Sequence, residues 1–177
     1  MSIPNVTITV NNKDYDITRS PSLLFVCKNS CHKQNLVSSI TEELKSEKYR
    51  GLLDVSLLSA EPAEYEAYDS MYLDFYILGE ALDEMEWRYD VLIENLAKNY
   101  IDYNENHKDD PLRLKLIIID GIDKVIENQT YSLFLENFYI LTQKSKHAGI
   151  KILAFVDNSG CVNNEILINL SKIEVED

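Results

Sequence analysis

The chain has 177 residues, of which 45% are hydrophobic, and this composition fits one globular domain with a full core. Its formal net charge of −13 argues against nucleic acid as a partner, because a DNA-binding surface needs clustered Lys and Arg. The longest apolar runs are strand-length and the N-terminus lacks a secretory pattern, so neither a transmembrane helix nor a signal peptide is expected. Three irregularly spaced cysteines suit a reducing cytosol. The acidity has two interpretations: general solubility, or a surface for basic or hydrophobic protein partners.

The first half of the chain alternates between predicted strands and helices. Short apolar segments bounded by turn residues predict strands at Val6–Val10, Tyr15–Ile17, Leu23–Cys27 and Leu52–Leu58. A helix is predicted from about Lys33 to Tyr49, with Gly51 ending it. The acidic stretch Ala60–Asp69 contains a proline and is predicted to be a loop.

The second half is predicted to open with one long helix from about Met71 to Tyr103. At 1.5 Å per residue it would be about 45 Å long. Its apolar residues recur every three or four positions, at Leu78, Leu82, Met85, Tyr89, Leu92, Leu96 and Tyr100. A further helix is predicted at Tyr131–His147, with Phe134, Phe138 and Leu141 facing inward. Apolar runs predict strands at Leu114–Asp120, Ile150–Val156, Ile166–Leu170 and Ile173–Val175.

Continuous apolar strands that alternate with amphipathic helices are typical of a parallel sheet covered on both faces. The sequence therefore predicts an α/β fold, a three-layer sandwich with a mainly parallel sheet. Ligands bind such sheets at the carboxyl ends of the strands. Residues 27–33 and Asp120 both lie at predicted strand ends.

The segment after the strand Leu23–Cys27 has the layout of a phosphate-binding P-loop, whose pattern is G-x-x-x-x-G-K-[ST]. Lys33 fits the pattern, while Cys27 and His32 replace the two glycines and Gln34 replaces the magnesium-binding Ser or Thr. Side chains at Cys27, Ser30 and His32 leave less room for close approach of the backbone to phosphate. Lys33 retains the capacity to attract a phosphate, and the alternative is an ordinary solvated loop. Magnesium and ATP are expected to bind weakly at best.

A second motif of nucleotide hydrolysis is also incomplete. Residues 116–120 resemble the apolar strand and acid of a Walker B motif, whose acid holds magnesium. An active motor usually has Glu or Asp next, whereas Gly121 follows here and Asp123 is expected to be out of phase. The alternative role for Asp120 is to cap nearby backbone N–H groups. We therefore expect no catalytic residues and no hydrolysis by the isolated domain.

Two thiols and an imidazole, those of Cys27, Cys31 and His32, raise the possibility of a metal site. A zinc site needs four ligands. Cys161 stands alone, and the remaining histidines are remote in sequence. We therefore expect no metal, and loop or buried thiols are the simpler interpretation.

Three segments in this order resemble the FtsK/SpoIIIE family of P-loop translocase domains. The first is the altered loop at 27–34. The second is Leu82-Asp-Glu-Met-Glu-Trp-Arg-Tyr89, followed by Tyr100-Ile-Asp-Tyr-Asn104. The third is Gln143-Lys-Ser-Lys-His-Ala-Gly-Ile-Lys-Ile-Leu-Ala154, after which active members continue with Thr-Gln and this chain has Phe155-Val156. The resemblance implies an FtsK-like P-loop NTPase fold.

The altered motifs and the acidity look most like the degenerate C-terminal, third ATPase domain of the type VII secretion proteins EssC and EccC of Gram-positive bacteria and mycobacteria. The resemblance implies one domain over residues 1–177, excised from a longer, membrane-anchored chain at the cytoplasmic face of the cell membrane. It implies recognition or regulation of small helical WXG-type secreted proteins beside neighbouring ATPase domains. The alternatives are a weak nucleotide-binding switch that becomes active in an assembled ring and a DNA translocase domain, against which the charge argues.

Overall fold

The computed structural model describes residues 5–68, 71–73, 75–127, 132–157 and 165–175. The strands are β1 (Thr7–Val10), β2 (Lys13–Asp16), β3 (Leu23–Val26), β4 (Leu53–Ser59), β5 (Met71–Tyr72), β6 (Leu114–Asp120), β7 (Ile150–Val156) and β8 (Ser171–Glu174). The α-helices are α1 (Ser30–Leu44), α2 (Phe75–Glu94), α3 (Tyr100–Asn106), α4 (Ile122–Glu127) and α5 (Ser132–Lys144). Short 3-10 helices lie at Glu47–Tyr49, Pro62–Tyr68 and Glu165–Leu167.

Within these described residues, six strands form one parallel sheet in the order β5-β4-β6-β7-β3-β8. The strands β1 and β2 pair separately as an antiparallel hairpin. None of the helices in this described part combines the length and the apolarity that crossing a bilayer demands. The predicted α/β class with a mainly parallel sheet is confirmed.

Both faces of the sheet are buried, which explains why its central strands β3, β6 and β7 are largely apolar. Leu23 and Phe25 of β3 pack into the core on one face, while Leu24 and Val26 pack into the core on the other. Successive residues of a strand point to opposite faces, so a strand covered on both sides needs an apolar residue at every position. Helices α1 and α3 with the hairpin contribute to the first core, and α4 and α5 contribute to the second. The result is the predicted three-layer sandwich.

The predicted single helix from Met71 to Tyr103 is wrong, because Met71–Tyr72 is strand β5 and the rest of the segment contains two helices, α2 and α3. Leu96 has a φ of 55° and is 91% exposed, although it lies in phase with the apolar stripe. The side chain of Asn99 then caps α3 by accepting hydrogen bonds from the backbone N–H groups of Ile101 and Asp102. Capping by Asn99 lets the chain turn and start a new helix. The three- or four-residue spacing of apolar residues continues across this break and therefore does not predict it.

Other predicted boundaries differ in smaller ways. The strands Leu114–Asp120 and Ile150–Val156 are confirmed residue for residue. The predicted loop Ala60–Asp69 contains the 3-10 helix Pro62–Tyr68. The predicted strand Ile166–Leu170 is wrong, since its first residues belong to the 3-10 helix Glu165–Leu167. A 3-10 turn and a short strand share the same apolar composition, which leaves the sequence without a means of separating them.

Candidate functional site

The candidate site lies at the edge of the sheet where β4, β6, β7 and β3 end side by side. Asp120 is the last residue of β6, and Asp157 directly follows β7. Lys33 reaches this edge from near the start of α1, the helix that follows β3. The three side chains are distant in sequence and meet because parallel strands present all of their carboxyl ends on one side.

Lys33 lies at the centre of this cluster and is only 3% exposed. Its Nζ atom is 2.9 Å from Oδ1 of Asp120 and 3.4 Å from Oδ2 of Asp157. Burial works to lower the pKa of Lys33, but attraction to the Asp120 and Asp157 carboxylates raises it above its ordinary value. Lys33 is therefore charged, and carboxylates of the protein itself already balance that charge.

Asp120 is held from its other side by Tyr65, which the sequence did not single out. The Tyr65 hydroxyl donates a 2.9 Å hydrogen bond to Oδ2 of Asp120, and burial followed by the charge of Asp120 raises the pKa of Tyr65. Within the described residues the partners of Asp120 are the side chains of Lys33 and Tyr65, not the backbone N–H groups that a capping role requires. Since Tyr65 belongs to the 3-10 helix Pro62–Tyr68, this segment covers Asp120.

Asp157 is the second residue that sequence reasoning missed, although it directly follows Phe155-Val156. Its Oδ2 accepts a 2.5 Å hydrogen bond from the Ser30 hydroxyl, and its backbone N–H donates to Oδ2 of Asp123 over 3.4 Å. Burial opposes its ionisation, but hydrogen bonds with Ser30 and Asp123 and the charge of Lys33 lower the pKa of Asp157 to about 2. Asp157 is therefore an anion that contacts the side chains of Ser30 and Lys33 near the start of α1.

Asp123 belongs to the same cluster, where its carboxylate contacts the backbone N–H of Asp157. It is buried at the start of α4, and burial followed by the nearby Asp157 raises its pKa to about 6. Its Oδ1 has no hydrogen-bond partner within the described residues. Ionising a buried carboxyl group without such partners is costly. In this cluster Lys33 therefore forms ion pairs with the carboxylates of Asp120 and Asp157, and the nearby carboxyl group of Asp123 has a raised pKa.

The backbone between β3 and α1 does not form a phosphate cradle. Helix α1 begins at Ser30, before the predicted start at Lys33, and the Asn29 side chain caps it by accepting a 2.8 Å hydrogen bond from the backbone N–H of His32. Residues 27–34 are all described, and none of them has a positive φ. An anion-binding nest requires residues of alternating hand. The loop therefore accommodates side chains at the positions where a P-loop needs glycine.

The remaining residues of the predicted site have separate environments. The Cys27 thiol is buried, and burial raises its pKa to about 12, whereas Cys31 is exposed. His32 and Gln34 are half-buried on α1. No group of three or more His, Cys, Asp or Glu in the described part of the chain is placed to hold a metal ion. Cys161 lies outside the described residues.

Gly121 occupies the position at which an active motor usually carries an acid. Its φ is +82°, and a β-carbon at this position would lie 3.0 Å from the Cβ of Ala60. An L-amino acid in this conformation is strained. A carboxylate at position 121 would therefore require a different backbone as well as a different side chain.

The other segments that resemble translocase domains lie at the opposite edge of the sheet, where β7 begins. The Arg88 guanidinium donates hydrogen bonds of 2.9 and 3.2 Å to the carbonyl oxygens of Ala148 and Gly149. The backbone N–H of Tyr100 donates to the carbonyl oxygen of His147 over 2.8 Å. These contacts anchor α2 and α3 to the turn between α5 and β7, so the residues behind the resemblance stabilise the fold at this edge.

A groove of about 440 Å³ lies along α2 near this opposite edge. Its lining combines apolar side chains with charged ones of both signs: Trp87, Val91, Tyr103 and Leu112 beside Asp54, Glu84, Arg88, Asp110 and Arg113. Trp87 is the single tryptophan of the chain and is 54% exposed. A half-exposed tryptophan in a groove with apolar and charged walls is suited to contact with a peptide.

Comparison with solved structures shows a shared fold, although no protein-family model and no curated protein sequence matches the chain significantly. The monomer form of the pCW3 conjugation coupling protein TcpA with ATPγS matches with a TM-score of 0.76 and 17% identity, over 98% of this chain and 55% of that chain. ATPases 2 and 3 of EssC from Geobacillus thermodenitrificans match with a TM-score of 0.70 and 13% identity, over 92% of this chain and 33% of that chain. ATPases 2 and 3 of Thermomonospora curvata EccC in complex with a signal sequence peptide match with a TM-score of 0.64 and 10% identity, over 95% of this chain and 32% of that chain.

These similarities concern the fold, since all three identities are below one fifth. The chain has the fold of P-loop ATPase domains of the FtsK/SpoIIIE type, as the three sequence segments implied. It spans between about a third and about half of the length of these three solved chains. Shared folds host different activities, so function has to be argued from the site.

Proposed function

We propose that this chain is a non-hydrolysing ATPase-like domain of a type VII secretion motor, which recognises or regulates small helical secreted proteins. One observation carries the proposal. Lys33, the residue that would meet the phosphates, is buried and paired with Asp120 at 2.9 Å and Asp157 at 3.4 Å. The charge of Lys33 is therefore neutralised by carboxylates of the protein itself, at the position where ATPases of this fold bind phosphate.

The parts needed for hydrolysis are altered at several positions of the same site. Catalysis of phosphoryl transfer depends on positioning the phosphates, holding magnesium and orienting the attacking water. Residues 27–34 lack the backbone of a nest, Gln34 replaces the magnesium-binding hydroxyl, and Gly121 replaces the acid. Tyr65 in addition occupies the second oxygen of Asp120. Several changes in one place support a loss of hydrolysis more strongly than any one of them.

Two observations support a role in protein recognition. The matching EccC is described as a type VII secretion ATPase, and one matching EccC structure is a complex with a signal sequence peptide. The groove beside α2 offers apolar contacts from Trp87 and Val91 within an acidic chain of net charge −13. We assign this groove to the C-terminal peptide of a helical secreted protein. The remainder of a longer parent chain would supply neighbouring ATPase domains and attachment to the cytoplasmic face of the membrane.

Trp87 makes the recognition proposal directly measurable, because its fluorescence reports on the groove alone. C-terminal peptides of candidate secreted proteins are titrated into the purified domain, and binding is expected to shift the Trp87 emission to shorter wavelength. Val91→Ser removes an apolar group from the groove and is expected to weaken binding about tenfold, equivalent to about 1.4 kcal/mol. Ile93→Ser is the matched control, since Ile93 lies on the same helix, is exposed and does not line the groove.

Two results would contradict the proposal. Equal effects of Val91→Ser and Ile93→Ser would place the peptide elsewhere. ATP hydrolysis by the same sample, at a rate that Lys33→Ala abolishes, would refute the non-hydrolysing role. The hydrolysis assay is therefore run beside each titration.

A second candidate is a nucleotide switch that becomes competent in an assembled ring. It is favoured by the match to TcpA, whose structure was solved with ATPγS, and by the presence of a lysine after β3 and an acid at the end of β6, the two positions that hold a nucleotide in this fold. Selective binding would stabilise the folded chain by about 2.7 kcal/mol at a ligand concentration 100 times the Kd. A rise in melting temperature with millimolar magnesium-ATP supports this candidate, and an unchanged melting temperature contradicts it. A gel shift with duplex DNA tests the translocase alternative, for which salt-dependent binding is required.

A further inference from the structure

The Asp157 carboxylate makes the contacts that a bound anion would make at this edge of the sheet. It accepts a 2.5 Å hydrogen bond from Ser30, the first residue of α1, and lies 3.4 Å from the ammonium group of Lys33. A hydroxyl group, an ammonium group and the N-terminal end of a 15-residue helix are the features with which proteins bind phosphate. Here these features converge on a side chain of the protein itself.

We infer that Asp157 is a built-in anionic ligand that occupies the phosphate position on Lys33 and Ser30 and keeps this position closed to phosphate groups. This inference rests on the proposed function and deepens it by naming what closes the nucleotide site. Asp157 is suited to this role because it follows β7, which lies between β3 and β6 in the sheet. The strand order places the carboxylate between β3, which leads into the helix that carries Lys33, and β6, which ends at Asp120.

The charges of the cluster favour the closed state over a bound phosphate. Lys33 faces Asp120 and Asp157, with the carboxyl group of Asp123 beside them. A polyphosphate that approached Lys33 would meet these carboxylates at short range, in surroundings that screen charge poorly. Removing Asp157 deletes one of these repulsive charges and frees the Ser30 hydroxyl and one side of Lys33. Loss of a single carboxylate is therefore expected to create anion binding.

The test measures binding of inorganic tripolyphosphate, with magnesium chloride at low ionic strength, by isothermal titration calorimetry. Asp157→Ala and Asp157→Asn are compared with the native chain and with Asp109→Ala. Asp109 is exposed and precedes β6, whereas the cluster lies where β6 ends, so its variant controls for the change in net charge. The Asp157→Ala/Lys33→Met double variant shows whether any gain depends on Lys33. Circular dichroism checks the fold of each variant.

Both Asp157 variants are expected to bind tripolyphosphate at least about tenfold more tightly than the native chain and Asp109→Ala, with the gain lost in the double variant. Native binding equal to that of the variants would overturn the inference, as would a gain matched by Asp109→Ala or kept without Lys33. Failure of both Asp157 variants to fold would also overturn it, because Asp157 would then be a structural residue. ATP hydrolysis by the native chain would refute the proposed function separately, whatever the Asp157 variants bind.

Discussion

Gly149 offers a sharp test of whether the third segment that resembles translocase domains is structural. Its φ is +73°, and a β-carbon there would lie 2.6 Å from Cγ of the Tyr100 ring. The ring has little freedom to move, because its hydroxyl donates a 2.9 Å hydrogen bond to the carbonyl oxygen of Thr18 and its backbone N–H donates to His147. Gly149→Ala is therefore expected to disrupt the anchor between α3 and the turn before β7.

The cost of Gly149→Ala has two parts. The left-handed backbone costs about 1–2 kcal/mol with an L-amino acid, and forcing a methyl group against a fixed ring costs about 1–3 kcal/mol. The total loss in free energy of unfolding is therefore roughly 2–5 kcal/mol. Gly51→Ala is the matched control, since Gly51 has a φ of +75° but no atom within 4 Å of the added β-carbon.

Urea unfolding followed by circular dichroism measures both variants. Gly51→Ala is expected to lose only the backbone part, about 1–2 kcal/mol, so the difference between the two variants isolates the contact with Tyr100. Equal losses would refute the reasoning, because they would show that the Tyr100 ring yields without cost.

Three further predictions concern charged groups. Lys33→Met leaves Asp120 without its cation and is expected to destabilise the fold by about 3–5 kcal/mol, part of which Asp120→Asn restores in a double variant measured by urea unfolding. The folded pKa of Asp123 is raised to about 6, so the unfolded chain binds fewer protons between pH 4 and 6. Asp123→Asn should therefore stabilise the chain by about 1–2 kcal/mol at pH 7, and an advantage that persists at pH 4 would contradict this. Burial lowers the pKa of Lys151 to about 8, so the unfolded chain binds more protons above pH 8. The stability of Lys151→Met relative to the native chain should therefore fall between pH 8 and 10, and a constant difference would count against this buried charge.

The central strands of the sheet could be predicted from the sequence, because burial on both faces requires mostly apolar residues along each strand. In β6 and β7 nearly every residue is buried, so both strands appear as runs that are apolar apart from Lys115, Lys151 and the terminal Asp120, and both predicted ends are correct. Helix α5 was readable for a similar reason, since Phe134, Phe138 and Leu141 are its predicted inward residues and are all buried.

The break between α2 and α3 was not readable, because the apolar spacing continues through it. Leu96 keeps the helical phase yet is exposed with a left-handed backbone. The contact of Tyr100 with the turn at His147 selects the two-helix arrangement. A contact between residues distant in sequence therefore determines this local structure, and the spacing of apolar residues within the segment cannot predict such a contact.

The sequence by itself determined the frame of the site. It placed Lys33 after one strand and Asp120 at the end of another, and it showed that Cys27 and His32 replace the glycines of a P-loop. These are local properties, since they depend on residue types at fixed spacing behind apolar strands.

Only the tertiary structure decided what Lys33 faces. Tyr65, Asp123 and Asp157 carry no motif that links them to Lys33, and they join it because β4, β6, β7 and β3 are neighbours in the sheet. The order of strands in a parallel sheet differs from their order in the chain, so such contacts are set by long-range packing. That packing places a carboxylate of the protein where a phosphate-binding loop would hold its ligand.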